Sequence, residues 1–375
     1  MMLKPGKLLL AASLLIVGAA RAETAEVLQK TVTGSPVVKS INVLEFAPDG
    51  VLLIGDGAGS QILAVETGDT TAVPQPKANI PRIAAKLAAS MGTTAKGIEI
   101  VDLTVNPASG RVYFAVRHQA DRKYAVLTLD GEGEIDEFSL KDVTYARLSL
   151  SAGDKAKVSV ITDVAWADDR IVAAGRSNES FSSKIFSIYA PLSHEAVSSS
   201  YSAKTYHVSH RKWETKAPMS VFLPMRENGK TWIVGAFSCT PVVKYPLDSL
   251  KEGALVTGTS VIELGSGNRP LDMLLYEKDG KSYVLANTFR FHHAKRPFGP
   301  SPYWTVRFEQ SLLSESDNVD EKAQRRLAGS KPATDRIQMI ESFHGVTQMD
   351  RLSETHAVVL RKTDNGFDLE ALQLP

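Results

Sequence analysis

Hydrophobic and polar positions along this chain alternate in short runs that come in pairs. Residues 41–55, INVLEFAPDGVLLIG, show the pattern most clearly: an alternating apolar stretch, a Pro-Asp-Gly turn, and a second stretch rich in Val, Leu and Ile. Alternation of period two marks a half-buried strand, and Pro, Asp and Gly supply the turn, so the segment reads as a β-hairpin. The same pattern returns at 101–116, 162–175, 219–236, 271–287 and 347–361. Weaker strand signals follow several of these hairpins, among them AVLTLD and EIDEFSL, KIFSIYA and SAKTYHV, and VVKYPL and TSVIEL.

A repeated four-strand unit that runs to the end of the chain predicts an all-β fold, a six-bladed β-propeller formed as one domain over 23–375. A pair of β-sandwich domains is the competing arrangement, but no break in composition separates two halves. The last unit shows only one further strand, FDLEALQL. The missing fourth strand is expected from the segment EVLQKTVTG at 26–34, which would close the ring and cover its open edge. Three stretches depart from the repeat. Residues 79–92, with Ala, Leu and Ile at helical spacing between Pro and Gly, predict a short helix in the connection between the first two blades, packed on the ring's surface. Residues 287–304, aromatic, basic and proline-rich, predict a flap over the channel mouth, whereas the polar stretch 310–338 predicts a solvated loop with a helical turn.

The beginning of the chain changes the setting. A basic MMLKPGK, a short apolar run and Ala20-Arg21-Ala22 form the pattern of a secretory signal over 1–22, so a periplasmic or secreted protein is expected. No later run is apolar for long enough to span a membrane. Cys239 is the only cysteine, which excludes an internal disulfide. With 43 Lys and Arg against 42 Asp and Glu there is no overall basic field, which argues against a nucleic-acid partner.

Propeller register then gathers polar residues that lie far apart in sequence. Counting back from the turn glycines places Asn42, Asp102 and Asp272 at the mouths of innermost strands, with Asp163, Ser220 and Gln348 at the corresponding places in the less regular units. Such a ring can hold a cation or the cationic group of a small ligand. Its oxygen donors suit Ca²⁺ or Mg²⁺ better than Zn²⁺ or Cu²⁺. It can equally be a polar channel lining, bonded to neighbouring strand backbones and water. Loops reaching the same face bring Arg117, Arg176, His210, Arg269 and His344, a basic rim able to meet a small molecule or a partner protein. A second candidate metal set is His210, Glu214 and Cys239, whose His and thiolate donors suit zinc or copper. The chain carries no P-loop, dinucleotide fingerprint, GxSxG, HExxH or CxxCH.

The hairpin INVLEFAPDGVLLIGD, with its echoes VDLTVNPASG and LDMLLYEKDG, resembles the six-bladed propellers of the NHL, YVTN and gluconolactonase (SMP-30-like) kind. In the gluconolactonase-like enzymes a Glu, an Asn and an Asp at inner-strand mouths hold a divalent ion. The resemblance therefore implies a metal site at Asp102, Asp163 and Asp272, although Asn42 stands where the first-blade Glu would be. Two functions follow as expectations. One is an exported propeller that binds a ligand or cation, with a protein partner at its rim; the other is a divalent-metal-dependent hydrolase of lactone or ester type.

Overall fold

The computed structural model describes residues 26–74, 79–153, 156–208, 211–238, 241–264, 267–295, 297, 299–315, 324–325 and 336–375. The six predicted hairpins are the inner hairpins of six blades, which we number in chain order. Their innermost strands are Val43–Ala47, Ile98–Val105, Val158–Ala167, Met219–Glu227, Asn268–Lys278 and Val346–Arg351. Each pairs antiparallel with the strand that follows it. The Val, Ile, Leu and Ala of those following strands are buried because a central strand of a blade is covered on both faces by neighbouring blades.

The order of blades around the ring differs from their order in the chain. Innermost strands neighbour one another in the sequence 1–3–4–5–6–2 and back to 1. The core has the same organisation. Among the described residues six apolar clusters fill the disc, one at each junction: 1 with 3, 3 with 4, 4 with 5, 5 with 6, 6 with 2, and 2 with 1. After blade 1 the chain therefore steps back to make blade 2, and must then pass blade 1 again to reach blade 3. It does so as the strand Val143–Ser149, which pairs with Gln61–Glu66 and becomes the fourth strand of blade 1.

This arrangement overturns the expected closure by the N-terminal segment. Val32–Gly34 pairs with Val143–Ser149 on the outer edge of blade 1, and Leu28–Gln29 pairs with Leu192–Ser193 near blade 3. The N-terminal strands thus sit beside blades 1 and 3, whereas blade 6 lies between blades 5 and 2. Among the described residues blade 6 has three strands: Val346–Arg351, His356–Thr363 and Gly366–Gln373. Its outer strand is met instead by Ile80, which exchanges two backbone hydrogen bonds with Leu369 at 2.7 and 3.0 Å. The predicted helix forms at Ile83–Ser90 and packs against the last strand of blade 6 and the outer strand of blade 2. Its buried face, Ile83, Ala84, Leu87 and Ala88, follows helical periodicity, and the helix works as a wedge in the seam.

Of the polar insertion, 316–323 and 326–335 lie outside the described residues; the described parts of both insertions add to the blades. Asn287–Arg290 completes a strand of blade 5 and Tyr303 opens the next, so the projecting connection shortens to 291–302. There Phe289 packs on Phe291 and Tyr303 with ring centroids 5.7 and 5.1 Å apart, leaving Phe291 54% exposed. The polar stretch contains the short 3-10 turn Gln310–Glu315, and Gln324–Arg325 adds to the edge of blade 4. The signal region 1–22 lies outside the described residues. No helix among the described residues is long and apolar enough to cross a membrane.

If the helix seals the seam, Leu87→Ala, which empties a fully buried site, should cost about 2–5 kcal/mol. Urea unfolding of the variant checks this; a loss under about 1 kcal/mol would mean that the ring closes without the wedge.

Candidate functional site

An innermost strand has a sheet partner on one side only. Backbone N–H groups on its other edge face the channel and need acceptors, because a buried unpaired amide is costly. Three aspartates supply them. Asp163 accepts the N–H of Val164 at 2.9 Å and that of Phe222, on the next blade, at 2.7 Å. Asp272 likewise takes Met273 and Met349, both at 2.8 Å. Asp102 takes Leu44 at 2.8 Å. Each carboxyl reaches from its own blade to the following one, joining 3 to 4, 5 to 6 and 2 to 1.

A bulge in the innermost strand aims these side chains. Register shifts fall between Ile100 and Asp102, Ile161 and Asp163, Met219 and Val221, Pro270 and Asp272, and Val346 and Gln348. Such shifts re-aim the residue that follows the unpaired one. Matched on the bulge and on the N–H that is captured, the positions equivalent to the aspartates are Val43, Val221 and Gln348. Asn42 and Ser220 sit one residue earlier. The count of eight from the turn glycine fails in blade 1, where Val43 stands seven residues before Gly50, whereas Asp102 and Asp272 stand eight before Gly110 and Gly280. Around the ring, Asp therefore alternates with Val43, Val221 and Gln348.

Two residues farther along the same strands lies a second tier that the sequence reading missed. Asp350 accepts Val105 N–H at 2.7 Å and Thr104 Oγ1 at 3.0 Å from blade 2, as well as its own neighbour Arg351 N–H at 2.6 Å. Glu45 accepts the N–H of Phe46 at 2.9 Å. Period-two alternation from Val43 and Gln348 would have pointed to both.

These groups line a central cavity of about 250 Å³. Five carboxyls face it, Glu45, Asp102, Asp163, Asp272 and Asp350, and no Lys, Arg or His is among its described lining residues. Burial is the main cause that pushes the carboxyls above their ordinary range, against the opposing pull of the backbone N–H donors. Asp163 is raised to about 7, and Asp102 and Asp272 are raised well above the usual carboxylate value. Glu45 is raised by burial first and then by the Asp350 carboxyl.

Of the residues nominated from sequence, the cavity brings together Asn42, Asp102, Asp163, Asp272 and Gln348. Asn42 Oδ1 accepts Gly57 N–H at 2.9 Å, and Gln348 Nε2 donates to Val101 O at 2.6 Å. Ser220 stands outside, sharing a hydrogen bond of 2.8 Å with Ser238. The basic rim does not converge on the channel either. Arg117 is paired with Glu99, Arg176 and Arg269 are exposed, and the His344 ring has Nε2 3.4 Å from Met339 Sδ; none of them lines the cavity. His210 and Cys239 lie outside the described residues. Their proposed partner Glu214 accepts three consecutive N–H groups, Thr215, Lys216 and Ala217, and stands 3.9 Å from buried His207, whose other ring nitrogen is 3.4 Å from Glu263. Among the described residues no group of three or more His, Cys, Asp or Glu is disposed to hold a metal ion.

No family profile and no curated protein sequence matches the chain. Solved structures with similar folds include the major allergen Mala s 1 of Malassezia sympodialis, 11% identical, covering 92% of this chain and 96% of the other with a TM-score of 0.37. The PQQ-bound aldose sugar dehydrogenase of Streptomyces coelicolor is 11% identical over 92% of this chain and 99% of its own, with a TM-score of 0.31. Drosophila Semaphorin 1a, extracellular domains 1-2, is 8% identical over 92% and 88%, with a TM-score of 0.35.

The raised carboxyls fix a pH dependence. In the interval between an ordinary Asp value of 3.8 and about 7, the unfolded chain releases the Asp163 proton while the folded chain keeps it. Stability is therefore greatest at the acid end and falls as pH rises through that window; the other channel carboxyls act in the same sense. Asp163→Asn should flatten part of this slope. It should also cost about 1–3 kcal/mol at the acid end, because one amide oxygen cannot serve two N–H groups. Thermal melts across the window decide the matter, and a variant melting curve parallel to the parent would contradict it.

Proposed function

We propose that the protein is a ligand-binding propeller whose central channel takes a small cation, either an ammonium group or a divalent metal ion that keeps its water shell, since no three of its carboxyls are disposed to hold a bare ion. The observation that carries this reading is the cavity of about 250 Å³ faced by five carboxyls and by no described basic side chain. Burial and the mutual repulsion of like charges both work against ionising several carboxyls in one confined space. A cation entering from solvent reverses that balance: it supplies the missing opposite charge and displaces protons. The three aspartates have both structural and binding capacity, because an oxygen that accepts one N–H keeps a second lone pair. Glu45 and Asp350 extend the acidic surface deeper along the innermost strands.

The exported, periplasmic or secreted, setting of this reading rests on the signal-like sequence at 1–22. In such a setting a hard divalent cation or a small amine is an available partner for oxygen donors. The hydrolase alternative needs a metal bound directly by side chains with open coordination positions, and among the described residues no group of three or more His, Cys, Asp or Glu is disposed to hold one. We therefore favour binding over hydrolysis.

Cation binding should raise the melting temperature more strongly at about pH 8 than at about pH 5, because the carboxyls must lose protons to receive it. The mature protein would be stripped with EDTA and melted with added Ca²⁺, Mg²⁺, Zn²⁺, Cu²⁺ or methylammonium. Glu45→Gln should reduce the shift. No shift with any of these ions at the higher pH, or a shift indifferent to Glu45→Gln and Asp350→Asn together, would remove the channel as the binding site.

A further inference from the structure

A second hollow, larger than the channel and opposite to it in charge, lies on the outer part of blade 1. Its volume is about 380 Å³, within the range of pockets that take small molecules. The backward step of the chain creates it. The strap 35–39, the strand Gln61–Glu66, the inserted strand Val143–Ser149 and the loop at His194 meet there, four segments that a sequentially ordered ring would keep apart.

Lys39, Arg147 and His194 line this hollow, and no Asp or Glu is among its described lining residues. Buried Leu63 forms an apolar floor, and Val37, 76% exposed, stands at the rim. Tyr145 and His194 make an aromatic wall, edge to face with centroids 5.6 Å apart. The His194 Nδ1 accepts the backbone N–H of Arg147 at 3.3 Å, so the neutral ring carries its proton on Nε2 and is a donor there. Nearby Asp56 does not compete for a ligand, since its carboxylate is filled by Lys39 N–H, Ser40 N–H and Oγ, Gly59 N–H and Gln61 Nε2. Arg147 pairs with Glu195 at 2.8 Å, but Glu195 is 66% exposed. A surface pair of this kind exchanges partners at little cost.

We propose that this hollow is a binding site for a small organic carboxylate with an apolar or aromatic body. The guanidinium, ammonium and imidazole donors match one carboxylate head, and Arg forks suit that group best. Leu63, Val37 and the aromatic wall would cover the body, which gives an inorganic anion no comparable advantage. The site is independent of the channel, which selects the opposite charge.

Benzoate is the probe, followed by isothermal titration calorimetry on the mature protein. Saturable binding is expected, unaffected by benzylammonium and by Glu45→Gln in the channel. Arg147→Ala should weaken benzoate by about tenfold or more. Glu195→Gln should strengthen it by releasing Arg147, a gain that a purely structural role for the pair would not produce. Circular dichroism and thermal melts of each variant confirm the fold, and Lys39→Ala, at an exposed side chain, gives a second independent loss. Absence of saturable benzoate binding up to about 20 mM overturns the proposal. So does binding unchanged in both Arg147→Ala and Lys39→Ala. Inorganic phosphate binding as tightly as benzoate would overturn the carboxylate assignment.

Discussion

Everything in this ring depends on what happens to the backbone N–H groups along the inner edge of each innermost strand. They cannot pair with another strand, because there the blades converge on a channel. Asp102, Asp163 and Asp272 capture them across blade boundaries, and Asp350 adds a fourth link from blade 6 to blade 2. A hydrogen bond to a charged or strongly polar acceptor is worth more than a neutral one, and its loss leaves a buried donor unmade. The acidic lining is thus first a set of links between blades. The cation site we propose draws on the same carboxyls, gathered around one cavity of about 250 Å³.

The junctions differ in how they are held. Blades 1 and 3, and blades 4 and 5, meet through apolar clusters, with Val43 and Ile161 at the first and Val221 and Met273 at the second. At 3–4, 5–6 and 2–1 an aspartate supplements the apolar contact. The 6–2 junction combines Asp350, the Gln348 amide on Val101 O, the Ile80–Leu369 bonds and the wedge helix. That concentration has a physical reason: this is where the last blade meets one made early in the chain, so the long loop closed there must be held by many contacts.

The backward step between blades 1 and 2 has a functional side as well. It turns a connection into the fourth strand of blade 1 and leaves a basic hollow where that strand, the strap at 35–39 and the His194 loop meet. The molecule then presents an acidic space on its axis and a basic one toward its periphery. With 43 basic and 42 acidic residues its net charge reveals neither, because the signs are separated in space rather than in sequence.

Alternation and turn chemistry in the chain were enough to determine the six hairpins, the all-β class and the helix near residue 83, since strand and helix periods are local properties. They also placed Asp102, Asp163 and Asp272 at the channel, because Asp at an inner-strand mouth is a matter of register. Blades 1 and 4 escaped that count: Val43 stands seven rather than eight residues before its turn glycine, and in blade 4 the polar Ser220 stands one residue before Val221. Glu45 and Asp350 gain meaning only when their strands stand side by side. Ring order, the place of the N-terminal strands and the hollow around Arg147 were decided by tertiary structure alone. Each depends on which apolar faces pack together, and blades with similar alternating faces do not encode their neighbours in any local pattern.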